Sequence, residues 1–127
     1  MNVIIHHEKF KLSVLEDSHL QLSVSGDLHQ LEVESIFIGL EQGLEQLRRA
    51  DGKKVLLADV TKLADVHASG RRVVFLRLYN LGFDRIACFG RTSYIKYLIQ
   101  FIIIGLRMSD RIRYFESEAA AREWLNS

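Results

Sequence analysis

The chain of 127 residues contains no proline and a single cysteine, Cys88. One cysteine excludes an intramolecular disulfide, and without a CxxC pair or a Cys/His cluster the sequence has no zinc-binding pattern. The thiol lies in the apolar run Arg85–Phe89, where we expect a buried and unreactive cysteine. We therefore predict no metal site, no cofactor and a reducing, cytoplasmic location.

An excess of charge and long hydrophobic runs are also lacking. The 17 basic and 16 acidic residues leave a formal net charge of +1, too small to attract nucleic acid or an acidic membrane. No segment reaches the ~18–20 apolar residues of a membrane-spanning helix. The apolar run at the N-terminus is short and charge follows it at Glu8, unlike a signal peptide. The length and these absences predict one domain without a membrane span.

Hydrophobic periodicity predicts the first half of the fold. Apolar and polar residues alternate over residues 10–15 and again over 19–26, so we expect a hairpin with its turn at 16–18. Apolar positions at helical spacing over residues 33–47 predict an amphipathic helix that ends at Asp51-Gly52. The continuous apolar run 55–58 then predicts a central strand covered on both faces.

Strands and helices alternate in the second half. Strands alternating with helices after a hairpin predict an α/β fold with a mixed, mostly parallel sheet covered by about four helices. The expected elements are a helix from a Ser69 cap to Leu81 ended by Gly82, a strand at 85–89, a helix from Thr92 or Ser93 to about Leu106, a strand at 111–115 and a helix capped by Ser117 and carrying Trp124.

The residues that can carry chemistry follow the central apolar strand. In an open α/β sheet, the carboxyl ends of the strands are where ligands and partners bind. An acid and a hydroxyl come directly after the strand, and a His-Ala-Ser-Gly sequence opens the next helix. We predict a loop system here that binds a partner through Asp59, Thr61, His67, Ser69, Arg71 and Arg72.

This segment favours recognition over catalysis. A catalytic role would need the His67 imidazole within ~3 Å of the Ser69 hydroxyl, beside an oxyanion site. Residues two apart in a loop seldom meet that geometry, and no G-x-S-x-G sequence is present. Arg71 and Arg72 lie at the N-terminal end of the predicted helix, where the helix dipole is positive and cations are unfavourable unless an anion lies nearby. Their placement predicts a docking surface for an acidic or phosphorylated partner. The alternative is a surface ion pair with Asp65.

The third predicted helix is apolar nearly all round, since only Lys96, Gln100 and, beyond the run, Arg107 form a polar stripe. Large exposed apolar patches are rare on soluble monomers, so something must cover this surface. A second copy of the chain is the first expectation, followed by an apolar or lipid-like ligand. Contact with a membrane surface would need more cations than Lys96 and Arg107 supply. The predicted surface consists of Tyr94, Ile95, Leu98, Ile99, Ile102, Ile103 and Leu106.

The order of elements and several motifs resemble the STAS domain (sulphate transporter and anti-sigma factor antagonist), in particular its SpoIIAA-like branch, also described as STAS/SEC14. The STAS signature runs acid, apolar, Ser or Thr, and later Asp-Ser-Ser-Gly. Asp59-Val60-Thr61 matches its opening, and His67-Ala68-Ser69-Gly70 stands at its end. Arg113-Tyr114-Phe115, followed by Trp124-Leu125, resembles the C-terminal segment of the SpoIIAA-like branch.

The resemblance implies a non-enzymatic regulatory module that binds protein partners. In anti-sigma factor antagonists the first Ser of Asp-Ser-Ser-Gly accepts phosphate from a partner kinase. Ala68 stands at that position and His67 replaces the Asp, so the resemblance implies that the usual phosphate switch is absent. The Sec14-type comparison implies, as the alternative, a carrier of a small apolar or lipid-like molecule between the third helix and the sheet.

Overall fold

The computed structural model describes residues 2–15, 19–50 and 53–127. These residues form six strands and four helices. The elements are β1 (Asn2–His6), β2 (Phe10–Leu15), β3 (His19–Leu28), α1 (Gln30–Arg49), β4 (Val55–Val66), α2 (Ala68–Arg77), β5 (Arg85–Phe89), α3 (Ser93–Leu106), β6 (Ile112–Phe115) and α4 (Glu118–Leu125). The α/β fold predicted from the sequence is confirmed.

The strands form one mixed sheet in the order β1-β2-β3-β4-β5-β6. The pairs β1–β2 and β2–β3 are antiparallel, and the remaining three pairs are parallel. The predicted hairpin is therefore present, while its turn at residues 16–18 lies outside the described residues. Strand β1 was not predicted, because its short apolar run has no alternation, and it extends the sheet beyond β2.

Helices α1, α2 and α3 pack on one face of the sheet and α4 packs on the other. Leu56 and Ala58 of β4 belong to the larger core, whereas Val55 and Leu57 point to the opposite face and contact the α4 layer. This explains the continuous apolar run of β4, because both faces of the strand are covered. Trp124 packs against the smaller core and helps to close it.

Strand β4 is much longer than predicted and continues to Val66. It stays paired with β3 over its whole outer half, up to the pair Leu28↔Val66, with two register shifts along the way. The expected loop after Ala58 is therefore wrong. The Asp59 carboxylate accepts hydrogen bonds from the amide and hydroxyl of Thr61 at 2.9 and 2.7 Å, which satisfies these polar groups inside the irregular strand.

Helix α2 departs from the prediction at both ends. Its N-cap is His67 and not Ser69, which lies within the first turn. Its last residue is Arg77 and not Leu81, because a turn after Leu78 carries the chain inward and buries Leu81 in the core. Gly82 has a positive φ of +97°, but it does not end α2, because the C-cap of α2 is Leu78 in the right-handed α conformation.

The other helix boundaries agree more closely with the sequence. Thr92 caps α3 by accepting a hydrogen bond from the Ile95 amide, and Ser117 caps α4 in the same way. The predicted end of α1 at residues 51–52 lies outside the described residues. No helix in the described part of the chain is both long and apolar enough to cross a membrane.

Candidate functional site at the N-termini of α1 and α2

The outer ends of β3 and β4 bring the N-termini of two helices together. Strand β5 ends at Phe89, which pairs with Asp59, whereas β3 and β4 run on to Leu28 and Val66. His29 and His67 follow these two strands and occupy the N-cap positions of α1 and α2. Their imidazole rings stack with centroids 3.9 Å apart and an interplanar angle of 15°. The two helices therefore begin side by side at one edge of the sheet.

Close packing of α2 behind this histidine pair depends on a glycine. Gly70 is buried in the first turn of α2. A Cβ atom at this position would lie 2.9 Å from Cγ2 of Val33 and 3.2 Å from Cγ1 of Val66. Any larger residue would push α2 away from α1 and β4. We call the partly exposed region above it, formed by His29, Asp65, His67, Ser69 and Arg71, the cap surface.

Asp65 ties the start of α3 to the cap surface. Its Oδ1 accepts hydrogen bonds from the Tyr94 hydroxyl at 2.6 Å and from the Val66 amide at 2.8 Å. The bond from Tyr94 is the main reason that the pKa of Asp65 lies below its ordinary value, and the Val66 amide, His67 and Arg71 also favour the charged form. The same bond raises the pKa of the Tyr94 phenol. Asp65 is therefore an ionised, anchored carboxylate.

A second carboxylate anchors the α1 side. Glu32 accepts a hydrogen bond from the backbone amide of His29 at 2.6 Å and forms an ion pair with Lys9 at 3.0 Å. These two contacts, the backbone hydrogen bond first, lower the pKa of Glu32. The Lys9 ammonium also donates to the carbonyl of Asp27 at 2.9 Å. The β1–β2 connection is thereby fastened to the end of β3, beside the cap surface.

The structure divides the predicted partner-binding segment into separate regions. His67, Ser69 and Arg71 belong to the cap surface, but Asp59 and Thr61 lie further back along β4. Asp59 lines a different groove of about 300 Å³, bounded mainly by β1 and β2, together with Ser23, Ser25 and Lys62. The expectation of one shared loop system is therefore wrong, because β4 continues as a strand between the two groups.

The geometry of the cap surface gives little support to a catalytic role. The His67 ring stacks on His29, and within the described residues no hydrogen bond joins it to the exposed Ser69. Ala68, the first residue of α2, is exposed and has no hydroxyl to phosphorylate. The described ranges also contain no group of three His, Cys, Asp or Glu residues placed to hold a metal ion.

Helix α3 presents a different surface from the predicted one. Ile95, Leu98 and Ile103 are buried in the core, and Ile99, Ile102 and Leu106 pack against it. Of the predicted set, Tyr94 alone is exposed, at 52%. These residues therefore do not form an exposed surface for a second copy, because α3 is covered by the sheet on one side and contacts Phe75 of α2 on another. Their alternative role, contact with an apolar ligand, stays a prediction. The residues that α3 turns outward are Tyr94, Tyr97, Phe101 and Ile104.

An apolar cavity of about 170 Å³ lies between the sheet and helices α1, α2 and α3. Its walls are entirely apolar and include Ala58 of β4, Cys88 of β5 and Leu40 of α1. Three predicted ligand-contacting residues of α3, Ile99, Ile102 and Ile103, also line it. These residues therefore face the interior space where the sequence placed an apolar ligand.

The sequence analysis did not assign their observed roles to His29 of the cap surface or to Tyr94, which anchors Asp65. His29 was left unassigned, although a polar residue between the end of an alternating strand and the start of a helical pattern is typical of an N-cap. Tyr94 was assigned to the apolar surface, whereas its hydroxyl bonds Asp65. Both roles depend on neighbours distant in sequence, so periodicity alone does not reveal them.

Comparison with known proteins identifies the family. The family model described as SpoIIAA-like matches residues 20–126, and the chain therefore belongs to the SpoIIAA-like family. This confirms the resemblance noted in the sequence. Comparison with curated protein sequences gives no significant match.

Several solved structures share the fold. An uncharacterised protein with a SpoIIAA-like fold from Shewanella loihica is 19% identical, with a TM-score of 0.67 over 95% of this chain and 97% of its own. An anti-sigma factor antagonist from Mycobacterium paratuberculosis is 14% identical, with a TM-score of 0.66 over 96% and 98%. Unphosphorylated SpoIIAA, an anti-sigma factor antagonist, is 16% identical, with a TM-score of 0.62 over 93% and 98%.

Proposed function

We propose that this protein is a single-domain, non-enzymatic regulatory module of the cytoplasm that binds a protein partner through its cap surface. Membership of the SpoIIAA-like family and the shared fold with anti-sigma factor antagonists support this proposal. The observation that carries it is the convergence of the α1 and α2 N-termini at the stacked pair His29 and His67.

The electrostatics of this edge indicate the kind of partner. Two helix N-termini place the positive ends of their dipoles together. The first turn of α2 contains no acidic residue and adds the cation Arg71. The two carboxylates nearby are already engaged, Glu32 by the His29 amide and Lys9, and Asp65 by the Tyr94 hydroxyl and the Val66 amide. An acidic or phosphorylated segment of a partner would be attracted to this surface and would accept hydrogen bonds from the free amides of the first turns.

The proposed function does not involve phosphorylation of this chain. Ala68 occupies the position where the family resemblance implies the acceptor serine. Ser69 is exposed, but it sits one residue later in the helix. Incubation with partner kinases should therefore leave Ser69 unmodified in mass spectrometry, and stoichiometric phosphate at Ser69 would contradict this part of the proposal.

Site-specific photocrosslinking in the source cell tests the binding surface. A photoreactive amino acid at position 69 should give a discrete protein adduct, and the substitution Arg71→Ala should weaken it about tenfold. The same amino acid at Ser109, exposed in the turn between α3 and β6, is the matched control and should give no such adduct. An adduct that forms equally from both positions, or only from position 109, would contradict the assignment.

The apolar cavity favours a second candidate function, the binding of a small apolar molecule. At about 170 Å³ the cavity is close in size to an engineered cavity of about 150 Å³ that binds benzene. Pockets for drug-sized ligands span about 300–1,000 Å³. The cavity therefore fits a single ring or a short alkyl chain, and a complete lipid would not fit.

Filling the cavity provides the test of this second candidate. Benzene should raise the melting temperature of the unmodified protein, because a ligand that binds the folded state stabilises it. The substitution Ala58→Val places two more methyl groups against the cavity and should abolish the benzene effect while the protein stays folded. Val74→Ala, which enlarges the same space, should retain it. A benzene effect unchanged by Ala58→Val would exclude this cavity as the binding site.

A further inference from the structure

Helix α2 with the turn that follows it, and helix α3, expose large apolar side chains to solvent. Leu76 on α2 is 67% exposed, and Tyr79, in the turn that follows α2, is 54% exposed. On α3 the exposed fractions are 67% for Tyr97, 63% for Phe101 and 72% for Ile104. Such exposures mean that these side chains protrude from the surface and do not line a groove. We call these five residues the α2–α3 face.

The five residues form one surface because the two helices pack against each other. The ring of Phe75 on α2 meets Phe101 on α3 edge to face, with centroids 6.2 Å apart. Gly105 makes this approach feasible, since a Cβ atom there would lie 2.7 Å from the Phe75 ring. On α3 the exposed residues recur at intervals of four and three, so they share one side of the helix. Leu76 directly follows Phe75, and Tyr79 lies three residues further along, in the turn after α2.

Unpaired cations border this face. Arg72 precedes Leu76 by one turn of α2, and Arg107 follows Ile104 by one turn of α3. The Arg111 guanidinium lies over the Tyr79 ring at 5.5 Å from its centroid. Within the described ranges none of these three arginines forms an ion pair, and neither α2 nor α3 contains an acidic residue.

The remaining cations of the two helices are already neutralised or belong to the cap surface. Arg77 pairs with Glu41 at 3.9 Å, and Lys96 pairs with Glu116 at 3.4 Å. Asp110 lies between Arg107 and Arg111 in the sequence, but within the described residues it forms no ion pair with either. With three arginines and one aspartate, the border of the α2–α3 face keeps a net positive charge, although the chain as a whole has a formal net charge of only +1.

From this combination we infer that the α2–α3 face docks onto an anionic lipid surface. Protruding apolar and tyrosine side chains enter the region between headgroups and acyl chains, while flanking arginines contact anionic headgroups. Lys96 and Arg107 alone would be too few cations, but the fold adds Arg72 and Arg111 to the border. A symmetric contact with a second copy would instead bring unpaired arginines from both chains together, and charge complementarity therefore favours the lipid surface.

Vesicle flotation with the full chain tests this inference. Vesicles of phosphatidylcholine containing phosphatidylserine should bind the protein, those of phosphatidylcholine alone should not, and salt should weaken binding. Ile104→Asp should lower the partition coefficient by about tenfold or more. Arg107→Gln and Arg111→Gln should each lower it about fivefold. The matched control is Leu31→Asp on α1, where a 77% exposed leucine lies outside the face, and binding should be unchanged.

Three results would overturn the inference. The first is no binding to vesicles with phosphatidylserine, and the second is equal loss of binding in the Leu31→Asp and Ile104→Asp variants. The third is a stable dimer in light scattering that Ile104→Asp converts to a monomer, which would assign the face to a second copy. Circular dichroism should show native structure in every variant, and Ile104→Ser replaces Ile104→Asp if the latter is unfolded. The substitutions in the α2–α3 face and its border change no residue of the cap surface, so the outcome is independent of the proposed partner-binding function.

Discussion

The imidazole rings of His29 and His67 stack at a centroid distance of 3.9 Å, and each ring belongs to the residue that caps a different helix. The backbone reinforces this contact, because the amide of His67 donates a hydrogen bond to the carbonyl of Leu28 at 2.9 Å. The pair therefore fixes the relative position of the α1 and α2 N-termini, on which the proposed partner-binding surface depends.

The histidine pair should show measurable energetic coupling. In a double-mutant cycle with His29→Ala and His67→Ala, we expect a coupling free energy of about 0.5–1.5 kcal/mol from urea unfolding, typical of an aromatic pair. The control cycle combines His67→Ala with His7→Ala, whose ring stacks on Phe10 instead, and should be additive. Additivity in the first cycle would mean that the stacking contributes nothing to stability.

The bond between Tyr94 and Asp65 should appear in the acid dependence of stability. The pKa of Asp65 is lowered below its ordinary value of 3.8, chiefly by this hydrogen bond. A lowered carboxyl pKa stabilises the fold fully above the ordinary pKa, and this contribution disappears as the pH falls through the folded-state value. Tyr94→Phe should therefore raise the pKa of Asp65 in an NMR titration and flatten the loss of stability in acid.

Tyr97→Phe is the matched control for that experiment. Tyr97 lies on the same helix and is 67% exposed, and its hydroxyl has no hydrogen bond to any described residue. The titration of Asp65 should be unchanged in this variant. An unchanged Asp65 titration in Tyr94→Phe would show that the 2.6 Å contact does not persist in solution.

Hydroxyl residues near the helix starts should differ sharply in their contributions to stability. Thr92→Ala removes the side-chain oxygen that accepts the Ile95 amide hydrogen bond and should cost about 1 kcal/mol in the free energy of unfolding. Ser69→Ala should change it by less than about 0.5 kcal/mol, because Ser69 is exposed and is not the cap of α2. A loss at Ser69 as large as that at Thr92 would restore the capping role expected from the sequence.

The single thiol should report unfolding. Burial raises the pKa of Cys88 to about 12, and the thiolate is the species that reacts with disulfide reagents. At pH 8 the native protein should therefore react with Ellman's reagent only as fast as it opens, and urea should accelerate labelling. The variant Ser109→Cys adds an exposed thiol and should label at once. Rapid labelling of the unmodified native protein would contradict the burial of Cys88.

Much of this protein follows from local patterns along the chain. The alternation of β2 and β3, the helical spacing of α1 and the doubly covered run of β4 predict the α/β fold, because each element must bury its apolar side chains. The caps Thr92 and Ser117 could be predicted for the same local reason, since the amide that each one satisfies lies three residues away.

Tertiary structure decided the rest. Pairing with β3 kept residues 59–66 in β4 and thereby separated Asp59 from His67, although local polarity indicates a loop. Packing against the sheet and Phe75 determined which side of an almost uniformly apolar α3 faces solvent. His29 meets His67, and Arg111 meets Tyr79, only because strands distant in sequence bring them together. A sequence pattern records the period of an element, whereas the surface that each element presents depends on the neighbours that cover it.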